Sequence, residues 1–596
     1  MIPILPPTGE PAEYNDNYIL YWNNLALDLN RLSHSLPTNP QGGPAASSRV
    51  LGILHLAIHD AYFAINPPAD QSFTCYLAEL PPHGGLMDAR TAVAGAAITA
   101  LEMLYTTPSA GIATATTFAM RQTIGQAIDG FSNLDARLPE YQFGAAVARA
   151  LIALLIPPND PGVGQGAYRT KEGPYKFRVE PNHPVRLVPV DPNNPNGPKQ
   201  AIAESYGPFY GGVRRFAVQT DDHVIADPPA GAAREDPVED IDSLLDTIRS
   251  GVVPEDNRSR RSPSQNVTAH FWAYDGTNLI GTPPRLYNQI LRKLAFERRP
   301  DTSDLAAEAN NADFARLLAL CNAAMGDAGI FSWREKYTFE IWRPLTGVRE
   351  HPSGLGDPFF QTVGSPETNN NGISFKPPFP AYPSGHATFG GATFQMARLY
   401  YKRRDGLDFA DDAPDDIGLE FVSDELNGVN RDLREDYDPA RPITQQVGTV
   451  RTRVPVCFSS LWEIMHENAL SRVFLGVHWR FDAFAARDVL VANPNPEPGA
   501  SPYALNPDGS TRYKPVAEVR YETRASRFDR DGLFPIGGVP LGIGIANEIF
   551  SANLQPTPEN AQPGQTTQGL AAGSGKGQGA QRKLNGTNGT NGGVAA

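Results

Sequence analysis

Helical spacing dominates this chain and strand-like alternation is scarce, so its apolar surface has to be buried between helices. Apolar residues recur every three or four positions from residue 17 to about 156, most clearly over 45–63, 88–104 and 140–156. The pattern returns at 241–249, 284–298, throughout 305–343, at 386–403 and at 458–471. Gly and Pro take over from residue 157 to about 237, a stretch long enough to wrap a surface or shape a site entrance. These features predict an all-α protein, two four-helix bundles packed together with long Pro/Gly-rich loops. The expected organisation is an N-terminal bundle with its loops over 1–240, a C-terminal bundle carrying the chemistry over 241–500, and an extension over 501–596. No aromatic residue follows Phe550. The Gly- and Asn-rich close of the chain cannot bury enough apolar area to offset its entropy, so disorder is expected after about residue 555.

Net charge of −14 over 596 residues disfavours nucleic acid as a partner. In so acidic a chain, Lys and Arg gathered in one pocket are informative. No uninterrupted apolar run reaches the roughly 18–20 residues of a membrane helix, so no membrane association is expected. The opening MIPILPPTGEPAEYNDNY has no basic region followed by an apolar core, so no standard secretory signal is visible. Cys75, Cys321 and Cys457 are far apart and read as buried thiols. Asp411, Asp412, Asp415 and Asp416 lie in an acidic stretch between 403 and 453, expected to be a solvated insertion that touches no site. His55, His59 and Asp60 lie in an apolar helix and read as core polar groups; a zincin would need Glu where Leu56 stands.

Three segments carry anion-binding chemistry. In the first, Lys336 and Arg343 are seven residues apart, which puts them on one helical face, and Pro344 is expected to end that helix. In the second, Pro383-Ser384-Gly385-His386 precedes a helical run. Ser384 is a natural N-cap, Gly385 permits close backbone approach, and the first-turn N–H groups would face an oxyanion with His386 beside it. In the third, Ser471-Arg472 precedes His478, and Asp482 follows four residues on. Gly476 lets the chain break and turn His478 inward, while Asp482 either orients that histidine or caps its helix. Each motif alone is ordinary, since paired surface cations and Ser N-caps are common.

In this order, K-x6-RP, PSGH and SR-x5-H-x3-D, the motifs resemble the superfamily of vanadium haloperoxidases and acid phosphatases. The tracts HFWAYDGTNLIGTPPRLYNQI, FKPPFPAYPSGHATFGGATFQ and FLGVHWRFDAF resemble the fungal vanadium chloroperoxidases more closely. That resemblance implies vanadate as cofactor, bonded to His478 and otherwise held by Lys336, Arg343, Ser384, Gly385 and Arg472. It implies His386 as the acid–base group, Lys336 as the cation that polarises bound peroxide, and Asp275 as the partner of Arg472 or Arg343. Trp333 and Phe379 would form a halide-side wall; bromoperoxidases of the family carry histidine where Phe379 stands, which favours chloride. Hydrogen peroxide, chloride and other halides are the implied partners. A monomer is expected, secreted or associated with the cell wall. The alternative is an acid phosphatase using the same pocket, with His478 as nucleophile.

Overall fold

Helices form where the spacing predicts them, and their starts follow proline and cap chemistry. The computed structural model describes residues 3–563, apart from residue 8 and short stretches within 108–111, 164–169, 179–185, 192–204, 230–236, 373–375, 498–499 and 522–532. In the first half lie α1 (Tyr18–Ser33), α2 (Pro44–Phe63), α3 (Ala89–Thr106), α4 (Thr114–Gly130) and α5 (Pro139–Leu155). The second half holds α6 (Pro237–Ser250), α7 (Pro263–Phe271), α8 (Pro283–Glu297), α9 (Glu308–Phe339), α10 (Pro344–Arg349), α11 (Gly385–Asp405), α12 (Leu461–Phe474), α13 (Ala486–Val489) and α14 (Gly538–Ser551). Proline opens α2, α5, α7, α8 and α10, where its missing N–H costs nothing and its φ is already helical. Among the described residues the strands are three or four residues long and pair as two-stranded antiparallel sheets. The protein is mostly helical, as expected.

One continuous apolar core runs from Tyr14 to Leu554 through the helices of both halves. Its axis is α9, which packs on α2 and α11. By length and composition α9 could cross a membrane, but its apolar window is wholly buried in the fold, which makes it a core helix. At its middle Asp327, fully buried, accepts backbone N–H bonds from Phe216, Ala217 and Val218 at 2.6, 2.8 and 2.9 Å. The loop-rich stretch is thereby pinned to the central helix. The pair α11 and α14 approach backbone to backbone, since a Cβ on Gly542 would lie 2.3 Å from the Thr388 carbonyl oxygen.

Four sequence expectations change. Pro344 begins a helix rather than ending one: α9 stops at Phe339, Glu340 turns into the left-handed region at φ 57°, and Arg343 is the extended N-cap of α10. A proline disfavours helical geometry in the residue before it and suits a helix's first position, so Arg343 leaves the α9 face altogether. The acidic insertion is not simply solvated. The Asp415 carboxylate is buried against Arg398 at 2.6 Å and accepts the Leu461 and Trp462 N–H groups at the start of α12. Order continues past residue 555, with Thr557 donating to the Phe216 carbonyl and Ala561 buried; the expected disorder after 563 lies outside the described residues. Cys321 is buried as predicted, but Cys75 is half-buried and Cys457 exposed on a strand. His55 and His59 are core polar groups, facing Asn23 at 2.7 Å and Asp60 at 2.9 Å.

Replacing Asp327 by Ala strands three buried N–H donors. Unfolding in urea is expected to show a loss of about 3 kcal/mol, with the midpoint lowered and the slope unchanged.

Candidate active site

The three motifs meet where α9 ends, α11 begins and α12 turns away. Lys336 occupies the last turn of α9 and is fully buried. Its Nζ donates to the carbonyls of Pro380 and Ala381, both at 2.9 Å, and to that of Pro383. These three acceptors belong to the loop that leads into Ser384, so the first motif shapes the second. Arg343 donates Nε to the Phe379 carbonyl and Nη1 to the Val477 carbonyl, each at 2.9 Å. The same Nη1 lies 2.9 Å from His478 Nε2. The Ser384 N–H in turn donates to the Asp482 carbonyl at 2.8 Å. Backbone carbonyls therefore stitch all three segments together.

Ser384 is the N-cap of α11, its hydroxyl accepting the Ala387 N–H at 3.4 Å. Gly385 follows in the first turn, where a Cβ would lie 3.2 Å from the Trp333 ring. At the third motif α12 ends at Phe474, and Gly476 takes φ 67° with Gly251 packed against it. A side chain there would meet the Gly251 carbonyl oxygen at 2.5 Å, so only glycine allows the reversal that brings His478 inward. His478 Nδ1 lies 2.7 Å from Asp482 Oδ2, which also accepts the Trp479 N–H at 2.9 Å. The Arg343 guanidinium can only donate, so His478 Nε2 keeps its lone pair on the site side and Nδ1 carries the proton toward Asp482. Asp482 thus both orients the histidine and caps the turn after it.

Arg472 is held by Asp275 through two bonds of 2.8 and 3.0 Å, the fork geometry that fixes a guanidinium plane. Of the two partners anticipated for Asp275, the structure pairs it with Arg472. His386 Nε2 lies 2.9 Å from the Ala273 carbonyl, so that nitrogen is the protonated one and Nδ1 keeps its lone pair. Trp333 and Phe379 pack with ring centroids 5.0 Å apart, and Lys336 Nζ sits 5.6 and 5.2 Å from those centroids. Lys336, Arg343, His386, Arg472 and His478, with Asp275, Asp482, Trp333 and Phe379 packed against them, therefore lie together. Sequence reasoning missed the carbonyls of Ala273, Pro380, Ala381 and Pro383, because a backbone acceptor leaves no trace in residue type.

Burial and neighbouring cations set the protonation states. Burial, then Arg343, Lys336, Arg472 and His386 in turn, hold His478 well below the ordinary imidazole value. Burial followed by Arg472 and Arg343 does the same to His386. Lys336 is pushed well below the usual lysine value by burial and by Arg343. Burial pushes the Asp482 carboxyl up to about 7, against the pull of Lys336 and Arg343.

This surplus of buried positive charge is the test of fit for an oxyanion, because buried cations cost several kcal/mol each unless an anion offsets them. Two carboxylates, Asp275 and Asp482, face Lys336, Arg343 and Arg472. The Nε of Arg472 is buried and has no hydrogen-bond partner among the described residues. The Gly385 N–H and the start of α11 add a partial positive charge. Vanadate fits this donor set: His478 Nε2 would bond the metal, while Lys336, Arg343, Arg472, Ser384 and Gly385 would hold its oxygens.

Fold and site together define a helical protein that binds a tetrahedral oxyanion beside a neutral histidine. Comparison with known proteins agrees. Residues 5–215 match the model of the vanadium chloroperoxidase N-terminal domain, and residues 316–490 match that of the second helical-bundle domain of the same proteins. The chain is 50% identical to the vanadium chloroperoxidase of Curvularia inaequalis, over 94% of its own length and 93% of the relative's. Among solved structures, a bacterial vanadium-dependent iodoperoxidase superposes with a TM-score of 0.50 at 15% identity, covering 94% of this chain and all of that one. The chain belongs to the vanadium chloroperoxidase family.

Replacing Asp482 by Ala frees the His478 ring and its tautomer. Equilibrium binding of orthovanadate to metal-free protein is expected to weaken about 10- to 100-fold. Burial holds His478 unprotonated well below its ordinary value but pushes its partner Asp482 up to about 7. Vanadate affinity measured against pH is therefore expected to begin falling as Asp482 takes a proton, and to be lost at lower pH when His478 does.

Proposed function

We infer that this chain is a vanadium-dependent chloroperoxidase, oxidising chloride, and also bromide and iodide, with hydrogen peroxide to hypohalous acid. The observation that carries this reading is the buried cationic cage around a neutral, carboxylate-oriented histidine, in a chain half identical to a chloroperoxidase along nearly all its length. The balance is one peroxide, one chloride and one proton giving hypochlorous acid and water. Bound vanadate supplies a Lewis acid that activates peroxide without changing its own oxidation state.

The protein's own groups do the rest. His478 presents a lone pair held in place by Asp482. Arg343 and Arg472, fixed by carbonyls and by Asp275, neutralise oxyanion charge with pre-oriented donors, so little reorganisation accompanies reaction. His386, whose Nδ1 keeps its lone pair, would take a proton from incoming peroxide and return it to the water that leaves. An anion in the cage would offset Arg472 and Arg343 and lift His386 from its depressed value toward the working range. Lys336, beside both aromatic rings, would place its positive charge next to bound peroxide and make it a better target for halide. Trp333 and Phe379 keep that side apolar, which lowers the hydration of chloride and aids its attack. The length and identity shared with the Curvularia enzyme support this reading over the phosphatase alternative. Hypochlorous acid attacks thiols and amines indiscriminately, which supports release outside the cell, in the medium or the wall.

Chlorination of a phenol-type dye by peroxide and chloride is the direct test, with metal-free protein assayed before and after orthovanadate. Activity should appear only with vanadate, and phosphate should suppress it competitively. Phosphate monoester hydrolysis inhibited by vanadate, with no halide oxidation, would show a phosphatase instead. His478→Ala should lose vanadate binding and chlorination together. His386→Ala should still bind vanadate while kcat falls about 100-fold or more; a fully active variant would exclude His386 as the proton carrier.

A further inference from the structure

The segment joining α11 to α12, read from sequence as remote from the site, grips the turn on which two of the site's supports stand. Three consecutive residues of that segment make the contact. Ser423 Oγ donates to the Phe271 carbonyl at 2.6 Å, and the Asp424 N–H donates to the Tyr274 hydroxyl at 2.8 Å. Glu425, fully buried, accepts the Tyr274 N–H at 3.2 Å. Its carboxylate is anchored from the other side by Arg451 Nη1 at 2.8 Å and by the Thr368 hydroxyl.

Tyr274 needs such a grip. It sits at φ 41°, in the left-handed region, which an aromatic residue keeps only when its surroundings over-determine it. Its neighbours on either side face the cage. The Ala273 carbonyl receives the His386 Nε2 proton, leaving Nδ1 as the base. Asp275 clamps Arg472 through both carboxylate oxygens. A rotation of the Tyr274 backbone would move that carbonyl and that carboxylate together.

We propose that Glu425 is a positioning residue for the vanadate site, acting through the strained Tyr274 turn to set the tautomer of His386 and the plane of Arg472. This rests on the chloroperoxidase reading above. The segment between α11 and α12 is then a brace for the site.

The test compares wild type, Glu425→Ala, Glu425→Gln and Arg441→Ala. The readouts are equilibrium binding of orthovanadate to metal-free protein and kcat per bound vanadate at saturating peroxide and chloride. Glu425→Ala is expected to weaken vanadate binding about 10-fold and to lower kcat per bound vanadate by a similar factor. Glu425→Gln keeps an acceptor for the Tyr274 N–H and should recover most of both losses. Arg441 lies on the same segment, and among the described residues its side chain pairs with Glu435 and Asp438; its replacement should leave both readouts at wild type. Should Glu425→Ala not fold, Ser423→Ala, which removes the bond to Phe271 and the cap on the Glu425 N–H, should shift both readouts in the same direction. A folded Glu425→Ala or Ser423→Ala that is less heat-stable but binds vanadate and turns over like wild type overturns the proposal. Wild type that binds no vanadate overturns the chloroperoxidase reading itself.

Discussion

Three cationic side chains buried at one point are the constraint around which this structure is arranged. Lys336, Arg343 and Arg472 are each all but inaccessible to water; Arg343 and Arg472 depress the protonation of both histidines beside them, and Lys336 that of His478. In a low-dielectric interior their mutual repulsion would be severe. The fold meets it with carbonyl oxygens aimed at the cations, with the forked Asp275 pair and with Asp482. An oxyanion completes the balance. The loop before α11 and the reversal after α12 therefore take shapes dictated by where acceptors are needed.

Such a cage suits the chemistry because its cations are held at fixed places. Lys336 is tethered by three carbonyls, Arg343 by two, and Arg472 by a fork. Charges fixed around an anion stabilise it without the solvent reorganisation that water would require. The two histidines divide the work by tautomer. His478 gives its Nδ1 proton to a carboxylate and offers Nε2, whereas His386 gives its Nε2 proton to a carbonyl and offers Nδ1. Different acceptors thus make one residue type serve as ligand and as base.

Much of this was legible before any coordinates. Helix positions followed from apolar spacing, and the capping of α11 by Ser384 followed from the PSGH run. The inward turn of His478 followed from Gly476, and the clustering of Lys336, Arg343, His386, Arg472 and His478 from the order of three motifs. The misreadings share one cause. Pro344 was assigned to the end of one helix when it starts another, because a proline marks a boundary without saying which side is helical. Asp415 was counted with its solvated neighbours, although burial against Arg398 depends on a residue in another element. Glu425 drew no notice, since its partners at 274, 368 and 451 are scattered along the chain.

The sequence by itself determined most of the long helices, the family and the residues of the cage, but not α7 or α14, because helical periodicity, N-cap chemistry and glycine's access to positive φ are local properties. Tertiary structure alone decided the tautomers, the pairing of Asp275 with Arg472 and the brace behind the Tyr274 turn. Those depend on backbone carbonyls and on side chains far apart in sequence. Their effect comes from distance and burial, which residue identity does not encode.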